Sequence, residues 1–210
     1  MASATTPNES ATFIAQRDRA FRLIVAASGP PPRRRLAPIN ERYASLVRSI
    51  TFQLLATKSA ETIHQRVVAL CDGTVSAQRV IELGPEQLRM AGLSRAKALA
   101  MVDLAIDVDA GRVVLARHGR MSDAEILSDV VSVRGIGPWT AQMYLMFTMA
   151  RRDVWPAGDF GVRNGWTILH GLDEIVSEAE LRKAGSRFEG VRSDVAWYCW
   201  QAVHPVRSTK

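Results

Sequence analysis

Two short stretches of this sequence place residue types at spacings that could support chemistry. The first is Val131-Ser132-Val133-Arg134-Gly135-Ile136-Gly137-Pro138-Trp139-Thr140. Gly135 and Gly137 permit positive φ and clear the tip of side chains, and Pro138 suits the first position of a following helix. Amides at a helix start form an anion site without any charged side chain, one that a nucleic-acid phosphate can occupy whatever the base sequence. An ordinary turn between two helices has the same composition, so this stretch alone decides nothing. The second stretch is Trp155-Pro156-Ala157-Gly158-Asp159-Phe160-Gly161-Val162-Arg163. Asp159 stands just before an apolar-periodic segment and is an N-cap candidate, a role worth about 1 kcal/mol. Helix amides and the macrodipole favour a charged carboxylate there, so capping and a retained negative charge are compatible.

The elements that must position these residues are helical. From Pro38 onward the apolar spacing follows the helical period, and alternation of period two never persists, which predicts an all-α protein. Helices are expected over Thr12–Ala27, Glu41–Ala56, Ser59–Cys71, Pro85–Met90, Ser94–Asp109, Asp123–Val131, Pro138–Ala150, Phe160–His170, Ser177–Phe188 and Ser193–Val203. Ser122 with Glu125 reads as a capping box, and Ser94 and Ser177 as further helix starts. Residues 1–10 read as a flexible tail. Three prolines break the chain before Arg33-Arg34-Arg35, which reads as a solvated loop rather than a specific phosphate contact. No internal repeat is visible.

A chain of 210 residues, set against roughly 100 to 200 per domain, fits one domain or two small lobes. With 47% hydrophobic and 23% charged residues it falls in the globular range, which excludes a disordered or fibrous class. The formal charge is +6, and the lysines are Lys58, Lys97, Lys183 and Lys210, so arginine carries most of the positive charge. That balance suits a polyanionic partner. Cys71 and Cys199 cannot build a disulfide framework, a four-thiolate zinc site or a four-cysteine iron–sulfur cluster. His64, His118, His170 and His204 are scattered without metal-ligand spacing and are expected at the surface or at caps. The N-terminal stretch lacks the pattern of a signal peptide and no long apolar run occurs, so a soluble cytoplasmic protein is expected, with no membrane partner.

Taken together, the two stretches resemble the helix-hairpin-helix DNA glycosylase superfamily, in its 3-methyladenine DNA glycosylase II branch. The similarity is strongest from Ser122 to Gly165. It continues through Tyr43 to Leu70, where Ile50-Thr51-Phe52-Gln53-Leu54-Leu55-Ala56-Thr57-Lys58-Ser59-Ala60 is similar to the family's I-x-x-Q-Q-I-S-x-K-A-A, and reaches Arg192-Ser193 and Ala196-Trp197-Tyr198-Cys199-Trp200.

The resemblance implies two helical lobes with the hairpin beside a DNA-binding cleft. The expected division is residues 38–121, with a wedge loop, against 11–37 plus 122–210, with the hairpin and Asp159. It implies that Asp159 is catalytic, stabilising the positive charge that develops on the sugar as an N-glycosidic bond breaks. Trp139, Met143 and Phe160 are the base-pocket candidates. Trp139 could equally be a core tryptophan, and Met143 could be core as well. The DNA-binding candidates are Arg134, Gly135, Ile136, Gly137, Thr140, Gln53, Leu54, Leu55 and Lys58. For Gln53, Leu54 and Leu55 the other reading is simple continuation of a helix. The family's hairpin also holds a monovalent cation, Na+ or K+, and the matching carbonyls are those of Val131, Val133 and Ile136. No cofactor is needed for catalysis.

The implied activity is excision of alkylated purines from duplex DNA by hydrolysis, by a monomer acting in base-excision repair. Trp139 occupies the place where bifunctional relatives carry a Schiff-base lysine, which implies a monofunctional enzyme without lyase activity. Two other readings stay open: a noncatalytic helix-hairpin-helix DNA-binding module, and a glycosylase for other damaged bases. The sequence departs from the family at Phe188-Glu189-Gly190-Val191-Arg192-Ser193, where relatives often show W-x-P-x-R-S, so the pocket edge is expected to differ.

Overall fold

The computed structural model describes residues 6–203, and among them there are helices, turns and no strand. The helices are α1 (Pro7–Arg17), α2 (Arg22–Ser28), α3 (Ile39–Phe52), α4 (Thr57–Leu70), α5 (Ala77–Met90), α6 (Arg95–Asp109), α7 (Asp123–Val131), α8 (Pro138–Met143), α9 (Phe160–His170), α10 (Glu178–Ala184) and α11 (Arg192–Val203). They fall into two compact units, one made of residues 6–34 and 151–203 and the other of Arg35–Ala150.

The division differs from the one expected. α7, the hairpin and α8 belong with α3 to α6, not with Asp159. The reason is packing. A Cβ on Gly135 would lie 2.7 Å from Cβ of Ala100 on α6, and α3 also packs against α8. The hairpin is thus built into the side of the larger unit.

In the smaller unit, helix starts explain two further corrections. Thr6 accepts the Glu9 amide while the Glu9 carboxylate accepts the Thr6 amide, so a capping box starts α1 where a flexible tail was expected. Residues 1–5 lie outside the described part. The predicted helix Thr12–Ala27 is broken because Asp18 leaves helical geometry, with φ −146°, and caps the next short turn through the Ala20 amide. Phe21, Trp166, Phe188 and Tyr198 then meet edge to face in the core of this unit. Arg34 is not solvated as expected for its charge run. Its guanidinium pairs with the buried Asp194 at 2.7 Å, and Asp194 also accepts from the Ser10 hydroxyl.

In the larger unit, Ser76 caps a stretch for which the sequence predicts no helix, and Gly84 at φ 65° separates it from the predicted Pro85–Met90 segment. α8 widens into a π-helical turn over Tyr144–Thr148, in place of regular helix to Ala150. His118 is fully buried, contrary to the surface or capping position expected. Its ring joins the Tyr144 hydroxyl at 3.0 Å and the Asp129 carboxylate at 2.7 Å.

Candidate functional site

The smaller unit carries the candidate catalytic residue. Asp159 is the N-cap of α9, and its Oδ1 accepts the Val162 amide at 2.7 Å. The same oxygen accepts the indole N–H of Trp200 at 2.9 Å. Trp200 reaches it because α9 and α11 cross at glycine. A Cβ on Gly165 would stand 1.9 Å from the Cys199 carbonyl oxygen, and one on Gly161 would stand 2.9 Å from Cδ1 of Trp200. Hydrogen at Gly165 lets the two helix backbones approach, and hydrogen at Gly161 leaves room for the indole beside the carboxylate. Burial, with the charge of Asp159 adding to it, pushes the Cys199 thiol up, so it stays a neutral packing group. Phe160, next to Asp159, is 63% exposed at the start of α9.

The loop before Asp159 is fixed from below. Trp155 is buried over Gly185 and donates from its indole to the Leu181 carbonyl at 2.8 Å. Arg192 grips Asp153 with two nitrogens, at 2.7 and 2.6 Å, and the hydrogen bonds of this pair hold the Arg192 charge, raising its pKa. Ser193 donates to the Arg151 carbonyl and accepts the Val154 amide. The Arg-Ser pair that the sequence keeps is therefore a brace for the Asp159 loop. The role of Trp200 is not among the sequence expectations. Its position in a C-terminal run of aromatics is visible, but no local pattern shows which ring reaches across to Asp159.

The larger unit carries the candidate DNA-binding groups and ties three of them together. α3 ends at Phe52, so the expected helical continuation to Ala56 does not occur. Leu54 adopts φ 52° and is fully exposed, with Leu55 at 40% exposure. Gln53 turns toward the hairpin and donates its amide to the Thr140 hydroxyl at 2.8 Å and to the Gly135 carbonyl at 3.3 Å. Lys97 on α6 donates to the carbonyls of Thr51 at 2.9 Å and Gln53 at 2.6 Å. Lys58 is exposed at the start of α4.

At the hairpin itself, Gly135 has φ 85°, and Gly137 is the N-cap of α8 with no side chain to cap the first amides. Ile136 and Thr140 have buried side chains, so they offer a ligand their backbone rather than a polar tip. Arg134 is largely exposed and pairs with Asp103 at 2.8 Å. Trp139 is half-buried and Met143 is buried. The carbonyl of Val133 accepts the Ile136 amide at 3.1 Å, which closes a turn containing two of the three cation-ligand candidates, and Val131 ends α7 just before it. Among the described residues no cluster of His, Cys, Asp and Glu could hold a metal ion, and no helix is long and apolar enough to cross a membrane. His204 lies outside the described residues.

Known proteins resemble this chain in sequence and in fold. Over 179 residues the chain is 28% identical to DNA-3-methyladenine glycosylase 1 of Schizosaccharomyces pombe, spanning 81% of this chain and 78% of that protein. The solved structure of the Schizosaccharomyces pombe 3-methyladenine DNA glycosylase with abasic DNA matches with a TM-score of 0.88 at 27% identity, covering 96% of this chain and 100% of that one. A 3-methyladenine DNA glycosylase from Archaeoglobus fulgidus, at 24% identity, shares the fold with a TM-score of 0.81 over 98% of this chain and 72% of its own. Residues 47–189 match the family described as HhH-GPD superfamily base excision DNA repair protein, and the chain belongs to that family.

Proposed function

We propose that this protein is a monofunctional DNA glycosylase that excises alkylated purines of the 3-methyladenine and 7-methylguanine type. The observation that carries the reading is the Trp200–Asp159 bond, because a carboxylate held by both a helix amide and an indole is oriented beyond what capping requires. A module that only binds DNA needs the hairpin but has no use for that second donor. Relatives named for 3-methyladenine excision support the substrate class.

In this reading the hairpin amides and Lys58 hold backbone phosphates, and Leu54 fills the space that the flipped base leaves. Trp139 is the aromatic face offered to the extruded base. Trp139 stacks on its electron-poor ring, a contact worth about 0.5 to 2 kcal/mol when the base is cationic. Asp159 stabilises positive charge on the sugar as the bond from C1′ to the base breaks, and water then adds at C1′. The proton of that water leaves to the carboxylate or to solvent. A cationic alkylpurine is already a good leaving group, so no separate strong acid is required. Trp139 offers no amine for a Schiff base, which supports hydrolysis without strand cleavage. The carbonyls of Val131, Val133 and Ile136 are neutral donors, and a set without carboxylates suits a weakly held monovalent cation that would steady the turn.

The test is release of free base from DNA treated with a methylating agent, comparing the wild type with Asp159→Asn. The expected result is free 3-methyladenine from the wild type and a loss of at least about a hundredfold in the variant, with DNA binding retained. DNA binding by both proteins without any base release would replace this reading with the binding module.

A further inference from the structure

We propose that Lys97 is a positioning residue for base extrusion: its ammonium holds the Thr51–Gln53 backbone and thereby aims Leu54 at the duplex. The proposal rests on the glycosylase reading above.

A helix end leaves its last carbonyls without intrahelical partners. At the end of α3 the carbonyl of Thr51, and that of Gln53 just beyond it, both receive Nζ of Lys97, at 2.9 and 2.6 Å. The side chain of Gln53 is drawn the other way, to Gly135 and Thr140 of the hairpin. Between these two anchors the chain turns so sharply that Leu54 enters left-handed geometry, φ 52°, and stands fully exposed. Such a conformation costs a leucine roughly 1 kcal/mol and persists only where its surroundings impose it.

Lys97 is poorly placed for the stability of its own helix. It lies in the first turn of α6, where Ser94 caps its amide and where the helix dipole disfavours a cation. Burial pulls its pKa below the ordinary lysine value. Both costs are local to α6, whereas the benefit falls on the turn after α3. A lysine engaged by two carbonyls also differs from a phosphate ligand, and the two roles make different demands on salt dependence.

The experiment compares Lys97→Met, which keeps the aliphatic stem, with Lys97→Arg, which restores donors, each alone and combined with Leu54→Ala. Three quantities are read on a methylated duplex: single-turnover base release, fluorescence of 2-aminopurine beside the lesion as a report of extrusion, and the slope of log affinity against log salt. Lys97→Met is expected to lose about tenfold in base release and most of the fluorescence change, as for loss of a charge-assisted bond, with Lys97→Arg recovering part of both. In the Leu54→Ala background Lys97→Met should cost nothing further, because both act through one turn. The salt slope should not change. A slope lower by about one would make Lys97 a phosphate ligand and overturn the proposal. Additive losses in the double variant, or unchanged extrusion in Lys97→Met, would overturn it too. If the wild type releases no base, the glycosylase reading fails, while the fluorescence and salt slope still decide whether Lys97 aims Leu54.

Discussion

Oδ1 of Asp159 receives two donors at once, the Val162 amide at 2.7 Å and the Trp200 indole at 2.9 Å. The first belongs to the helix that Asp159 starts, and the second comes from α11. The carboxylate rotamer is therefore set by the packing of two helices.

Trp200→Phe keeps most of the ring and removes the N–H. Excision should slow about tenfold, in line with loss of a hydrogen bond to a charged group, while affinity for undamaged duplex changes little. Single-turnover release from methylated DNA alongside a binding titration separates the two quantities. Equal loss in both would mean that Trp200 serves the fold and not the carboxylate.

Gly135→Ala meets two obstacles, φ 85° and a Cβ contact of 2.7 Å with Ala100. The hairpin must shift, so DNA affinity should fall uniformly for damaged and undamaged duplexes, with a salt slope smaller by about one phosphate contact. Titration at several salt concentrations checks both. A loss confined to damaged DNA would place Gly135 in base recognition instead.

What is legible in the sequence follows the range of the interactions. Asp159 is visible as a cap because a cap is decided within a few residues, and Gly135 with Gly137 marks the hairpin for the same reason. Trp200, Lys97 and Gln53 show no sign of their partners, since each reaches a group far away in the chain. Leu54 stands in the sequence between wedge and helix continuation. The apolar pattern of α3 runs on through Leu55, whereas the helix ends at Phe52, where Lys97 binds the Thr51 and Gln53 carbonyls and the Gln53 side chain turns to the hairpin. The unit boundary falls elsewhere than expected because a glycine packed on Ala100 gives no signal in sequence.

Asp18 supplies a pH dependence. Burial alone would raise its pKa, but the Ala20 amide, His170 and Arg187 outweigh it, so the folded value lies below the ordinary 3.8. A depressed carboxylate contributes stability above its unfolded pKa and loses it as pH falls through the folded value. Asp18→Asn should therefore lower the Tm at neutral pH and flatten the loss of stability below about pH 4. Thermal melts from pH 7 to pH 2 read this directly, and parallel curves for the two proteins would refute it.

Gly161 and Gly165 make a paired prediction that separates packing from orientation. At Gly165 an added Cβ meets backbone, 1.9 Å from the Cys199 oxygen and 2.5 Å from its carbon, so α9 and α11 must move apart. Gly165→Ala should cost at least about 3 kcal/mol and lower the Tm by about 10 °C. At Gly161 the obstacles are side chains, the Trp200 ring at 2.9 Å, which can swing away, and Oδ1 of Asp159 at 3.1 Å, which must give slightly. Gly161→Ala should leave the Tm within a few degrees yet slow excision as much as Trp200→Phe does, and the double variant should be no slower than either single one. Urea titration and single-turnover excision on the same preparations decide the matter. A Gly161→Ala protein with wild-type excision would show that the indole bond does not set the working position of Asp159.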